Sequence, residues 1–130
     1  MKKLGIKPGQ NVAIVNPPNK FLAQELQPLP QNVSFAAATT RRPLDFIMLF
    51  VSSAKALDKE LPKLKKKLAR DGVLWVSWPK KSSGVETDLS FGVVQQLGLT
   101  IGLVDVKICA VNETWSGLKF VYRLKDRASL

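Results

Sequence analysis

The segment Leu44-Asp45-Phe46-Ile47-Met48-Leu49-Phe50-Val51 is apolar at every position but Asp45. An apolar run that does not alternate has both faces covered, as in the central strand of a parallel sheet with helices on each side. Two further runs share this character. Asn11-Val12-Ala13-Ile14-Val15-Asn16 is ended by Pro17-Pro18-Asn19, and Val73-Leu74-Trp75-Val76-Ser77-Trp78 is stopped by Pro79. Asn32–Ala36 is a weaker strand. Residues 37–43, small, polar and basic, read as a loop.

Between these strands the apolar period changes from continuous to helical. Phe21, Leu22 and Leu26 predict a short helix that ends before Pro28. Ser52 or Ser53 caps the next helix, whose Leu57, Leu61, Leu64 and Leu68 fall on one face. Pro62 lies inside it and predicts a kink or the start of a second helix, and Asp71-Gly72 predicts its end. Val85, Leu89, Val93 and Leu97 predict another helix, broken by Gly98 and Gly102. Val104–Val111 and Leu118–Arg123 flank the polar stretch Asn112–Gly117 and predict an antiparallel hairpin. Trp75 and Trp78 are three residues apart, so on a strand they point to opposite faces. The order is β-α-β-β-α-β-α-β-β, a layered α/β sheet with right-handed crossovers. It reads as a single domain over residues 1–130, with residues 125–130 a frayed tail.

Composition removes much chemistry. With no His and one Cys, neither a Ser-His-Asp triad nor a Cys-His dyad nor the usual Cys/His zinc sites can form within one chain. Cys109 reads as a small core residue rather than a nucleophile, and it fits a reducing, cytoplasmic compartment. Glu86, Asp88, Asp105 and Glu113 show no recognised ligand spacing, so no metal is expected. Met1-Lys2-Lys3 is followed by no apolar export segment, and no membrane partner is expected. The net charge of +10 admits an anionic partner, nucleic acid included. Seven basic residues crowd Lys55–Arg70, which reads either as a solvated helix face or, through Lys63–Arg70, as a surface for a polyanion.

In open α/β sheets ligands sit beyond the C-terminal ends of the strands. That edge would gather Asn16 to Lys20, Ser52-Ser53, Lys80 to Asp88 and Asn112 to Ser116. The candidate ligand residues are Lys80, Lys81, Ser82, Thr87, Asp88, Glu113, Thr114 and Trp115. Lysines, hydroxyls and a helix start near Gly84 suit a phosphate or carboxylate, and Trp115 suits a base or a packing contact with a neighbouring loop. Lys80-Lys81 also reads as a solvated loop, and Thr87-Asp88 as a helix cap or lining.

This order resembles the class I S-adenosylmethionine-dependent methyltransferases, whose sheet also ends in a helix, a strand and a returning antiparallel strand. Leu68-Ala69-Arg70-Asp71-Gly72-Val73-Leu74-Trp75-Val76 looks like their helix-turn-strand segment after the fourth strand. Three stretches resemble a small bacterial family of unknown function with that fold: Leu4–Gln10, Trp75–Gly84 and Lys107–Phe120. Asn112 stands where that family more often has Asp, which removes a carboxylate. The resemblance implies a three-layer Rossmann-like, methyltransferase-like sheet lacking one strand-helix unit. The cofactor loop Asn16, Pro17, Pro18, Asn19 has no glycine, and residues 33–40 hold no acid for ribose. The expectation is therefore a non-catalytic domain without a cofactor, S-adenosylmethionine included, that binds an anionic small molecule, nucleotide or partner at the sheet edge. A divergent methyltransferase is the alternative, and a nucleic-acid-binding protein using Lys63–Arg70 is the third reading.

Overall fold

The computed structural model describes residues 9–16, the backbone of 34–35, and residues 43–80, 83–111 and 114–123. The expected helix at Phe21–Leu26, the loop 37–42 and the tail lie outside the described residues, as do Pro17, Pro18, Asn19, Lys81, Ser82, Asn112 and Glu113.

Strands β1 (Asn11–Val15), β2 (Ser34–Phe35), β3 (Leu44–Phe50), β4 (Leu68–Pro79), β5 (Leu103–Ala110) and β6 (Trp115–Tyr122) form one sheet in the order β2-β1-β3-β4-β6-β5. The first four are parallel, and β6 lies antiparallel to both β4 and β5. The hairpin's second strand therefore enters the sheet and leaves β5 at the edge. Helices α1 (Ala54–Lys67) and α2 (Phe91–Thr100) complete the described elements. This is the methyltransferase-like, Rossmann-like α/β fold implied by the strand order.

The sheet separates two cores. On one face Ile47, Leu49, Leu74, Val76, Trp78, Leu118 and Phe120 pack with Leu57, Leu61 and Leu64 of α1 and Val94 of α2. On the other Val12, Phe46, Met48, Phe50, Trp75 and Val111 cluster. Trp75 and Trp78 fall in different clusters, as their spacing requires, and both are buried.

Five local expectations are corrected. The first helix ends at Lys67, before Asp71-Gly72: Leu68 adopts extended backbone and pairs with Leu44, so sheet pairing takes over at once. Residues 69–72 then form an irregularity, because Phe46 next pairs with Val73, and Gly72 meets the Leu44 carbonyl where a Cβ would lie 3.0 Å from it. Pro62 starts no second helix; α1 runs through it. The carbonyl it leaves without an amide partner belongs to exposed Asp58, where water can reach.

The next helix begins at Phe91, capped by Ser90, and not near Gly84 or Val85. Thr87 and Asp88 spend their side chains on other backbone groups, and this competes with helix. Gly98 does not break α2 but lies within it, buried against Phe120; Gly102, at φ +94°, follows its end. Finally, Trp115, Ser116 and Gly117 belong to β6 rather than to a turn. Gly117 is small because Trp75 and Val111 lie against it.

A polar clasp joins the elements at the other end of α1. Lys65 Nζ donates to the Ile101 carbonyl at 2.5 Å and lies 5.8 Å from the Tyr122 ring centroid. The Tyr122 hydroxyl donates to the Lys65 carbonyl at 2.5 Å. Among the described residues no helix is long and apolar enough to cross a membrane.

Candidate functional site

The strand order reverses between β1 and β3, where one connection leads outward to β2 and the other to β4. Such a switch point opens a crevice beyond the carboxyl ends of the two strands. Val15 pairs with Leu49, so Asn16 after β1 and Val51-Ser52 after β3 flank this crevice. Asn16 is exposed and holds φ 56°. Asn tolerates the left-handed region better than other non-glycine residues, because its short side chain bonds locally. The loop thus enters with the backbone turn for which glycine is ordinarily used.

Beside the crevice lies an open groove of about 470 Å³, lined by Ser52, Ser53, Glu86, Thr87 and Asp88. Its walls are built by a latch between two loops. Thr87 Oγ1 donates to the Ser52 carbonyl at 2.7 Å and accepts from the Leu89 amide at 3.0 Å. The Ala54 amide donates to Asp88 Oδ1 at 2.7 Å, and the Ala56 amide to Ser53 Oγ at 3.2 Å. Asp88 and Ser53 together satisfy amides at the start of α1, and the carboxylate faces the positive end of the helix dipole. The groove therefore presents carboxylates and hydroxyls, a donor set suited to hydroxyl groups and cations rather than to an anion.

The remaining candidates lie further along the same edge. Trp115 pairs with Pro79 across β4 and β6, and the Lys80 amide donates to the Thr114 carbonyl at 2.8 Å. Ser83 Oγ donates to the Lys80 carbonyl at 2.6 Å and closes the turn after β4. Trp115 is half-buried and stands edge-on to Phe50, ring centroids 5.0 Å apart at 89°. Its indole packs on the second core. Cys109 packs on the same core. The structure thus brings Asn16, Ser52, Lys80, Thr87, Asp88, Thr114 and Trp115 to one edge. Three lining residues, Ser52, Ser53 and Glu86, are absent from the ligand set drawn from sequence. All three fall in loops that topology places at this edge; Ser53 is marked further by its capping position, whereas Glu86 carries no local signal that makes it a ligand.

No family model matches the chain, and no curated protein matches it. Solved structures do. Magnesium protoporphyrin IX methyltransferase from Synechocystis PCC 6803, with bound S-adenosylhomocysteine, is 11% identical at a TM-score of 0.62, over 89% of this chain and 75% of that one. A SAM-dependent methyltransferase from Aquifex aeolicus is 15% identical at 0.63, over 92% and 85%. A DhpI complex with S-adenosylhomocysteine is 10% identical at 0.64, over 92% and 78%. The chain therefore has the fold of class I S-adenosylmethionine-dependent methyltransferases.

These neighbours overturn the expectation that the chain takes no cofactor. The Synechocystis enzyme is seen with S-adenosylhomocysteine and with S-adenosylmethionine, and DhpI with S-adenosylhomocysteine. Asn16 holds a left-handed backbone conformation at the start of this loop without glycine.

Proposed function

We propose that the chain is a divergent class I methyltransferase that binds S-adenosylmethionine at the β1–β3 switch point. The observation that carries this reading is the placement of the left-handed Asn16 and of Ser52 on either side of the crevice, next to a groove of about 470 Å³. That volume lies in the range of small-molecule sites. The structural neighbours favour this reading over a non-catalytic binding domain.

The donor set fits the cofactor. Exposed Glu86 can accept from an ammonium group or from ribose hydroxyls. Asp88 has one oxygen engaged by the Ala54 amide, which fixes the carboxylate beside the groove. Ser52 offers an exposed hydroxyl. When bound, the cofactor supplies an electrophilic methyl carbon; the residues of the edge hold it and position an acceptor. The charge and hydroxyls at Glu86, Asp88 and Ser52 perform binding and orientation rather than proton transfer.

Isothermal titration with S-adenosylhomocysteine tests this. Saturable binding at one site per chain is expected, with competition by S-adenosylmethionine and a loss of at least tenfold in affinity for Glu86→Lys. At a ligand concentration 100 times Kd, binding should add about 2.7 kcal/mol of stability. No heat and no thermal shift at millimolar ligand contradicts the proposal.

A further inference from the structure

We infer that the solvent face of α1 is a binding surface for the phosphate backbone of a nucleic acid. The inference does not rest on the cofactor reading. At about 100° per residue, Lys55, Lys59, Lys63 and Lys66 fall within an arc of about 80°, centred opposite the buried Leu57, Leu61 and Leu64. All four lysines are exposed. The acids of the helix, Asp58 and Glu60, flank the stripe on its two sides and do not interrupt it. No acidic side chain of the described residues pairs with any of the four. The surface differs from the consecutive basic run Lys63–Arg70 expected from sequence, because Lys65 turns inward to the Ile101 carbonyl and the Tyr122 ring.

The geometry selects the occupant. At 1.5 Å per residue the stripe is about 16 Å long, the length over which one strand presents roughly five phosphates. Regular like charge over that distance matches a polymer of regular opposite charge. A membrane surface is a poorer match: the apolar face that would insert is already spent on the core. The overall charge of +10 adds long-range attraction for the same ligand.

The test is fluorescence anisotropy with a labelled single-stranded RNA and a labelled duplex DNA, titrated at several salt concentrations. For the single strand, neutralising about four phosphates predicts roughly a 50-fold loss of affinity between 50 and 200 mM salt. In the double variant Lys59→Gln/Lys63→Gln that loss should fall to roughly sevenfold, as expected for about two phosphates. A charge-matched double variant on the β5–β6 hairpin, Lys107→Gln/Lys119→Gln, should keep the wild-type salt slope. Thermal melts of both variants check that the fold is retained. Four results would overturn the proposal. One is a wild-type slope in Lys59→Gln/Lys63→Gln. Another is an equal loss in the charge-matched control, which marks diffuse charge. The third is equally strong competition by polyglutamate or by anionic phosphatidylserine vesicles at matched charge. Absence of binding to either nucleic acid at low salt also overturns it.

Discussion

Tyr122 shows how one side chain couples two elements. Its ring is buried under Lys65 and its hydroxyl donates to the Lys65 carbonyl, so β6 is fastened to the last turn of α1. Burial disfavours the phenolate and raises its pKa above the ordinary value. The sign follows from linkage. The folded state holds its proton more tightly, so the stabilisation is fully present below about pH 10, where the unfolded phenol ionises, and is lost as pH rises through the folded pKa. The chain has one tyrosine, so tyrosinate absorbance reports it alone. The native titration should have its midpoint above that in urea; coincident curves contradict the account. Tyr122→Phe should lower stability by about 1 kcal/mol in urea unfolding, the net worth of a typical hydrogen bond, and should reduce the alkaline loss.

Helix–sheet packing is decided at Gly98. Alanine normally stabilises a helix interior by about 1 kcal/mol relative to glycine. At this position a Cβ would lie 2.1 Å from the ring of fully buried Phe120. Gly98→Ala should therefore destabilise, by about 1–3 kcal/mol from overpacking, measured as a lower urea midpoint with an unchanged slope. A more stable variant shows that α2 does not approach β6 so closely. At the other end of the helical layer, Asp88→Ala removes an acceptor from the Ala54 amide and should cost about 1 kcal/mol. An unchanged midpoint there contradicts the latch between the loop after β4 and the start of α1.

These elements also show how far the sequence can be read. Leu44–Phe50 and Leu57–Leu61–Leu64 were legible because burial on both faces, or on one, leaves a period in the chain itself. The order of strands followed from the alternation of these periods. Glycine was a poorer guide. Gly72, Gly98 and Gly117 look like turn signals, yet each is required where another group approaches closely, and that neighbour is distant in sequence. Val85 and Leu89 continue the helical period of Val93 and Leu97, but the hydrogen bonds of Thr87 and Asp88 to Ser52 and Ala54 prevent a helix there. The site suffers from the same blindness. Its edge could be located from topology, whereas the engagement of Thr87 and Asp88 depends on partners 35 and 34 residues away.

On the scale of the whole molecule, two surfaces follow from one sheet. Parallel pairing of β1 and β3 opens a crevice at their carboxyl ends, and the crossover from β3 to β4 lays α1 across one face with its lysines outward. The core consumes the apolar side of that helix, so its charge is left for solvent or a partner. The crevice is the more consequential feature, because the assignment to S-adenosylmethionine depends on where a ligand enters. Chemical-shift mapping of backbone amides during titration with S-adenosylhomocysteine tests this most directly. Perturbations should concentrate at Asn16, Ser52, Ser53 and residues 86–88, with β5 unaffected. Perturbations confined to β5 and β6, or none at saturating ligand, would contradict it.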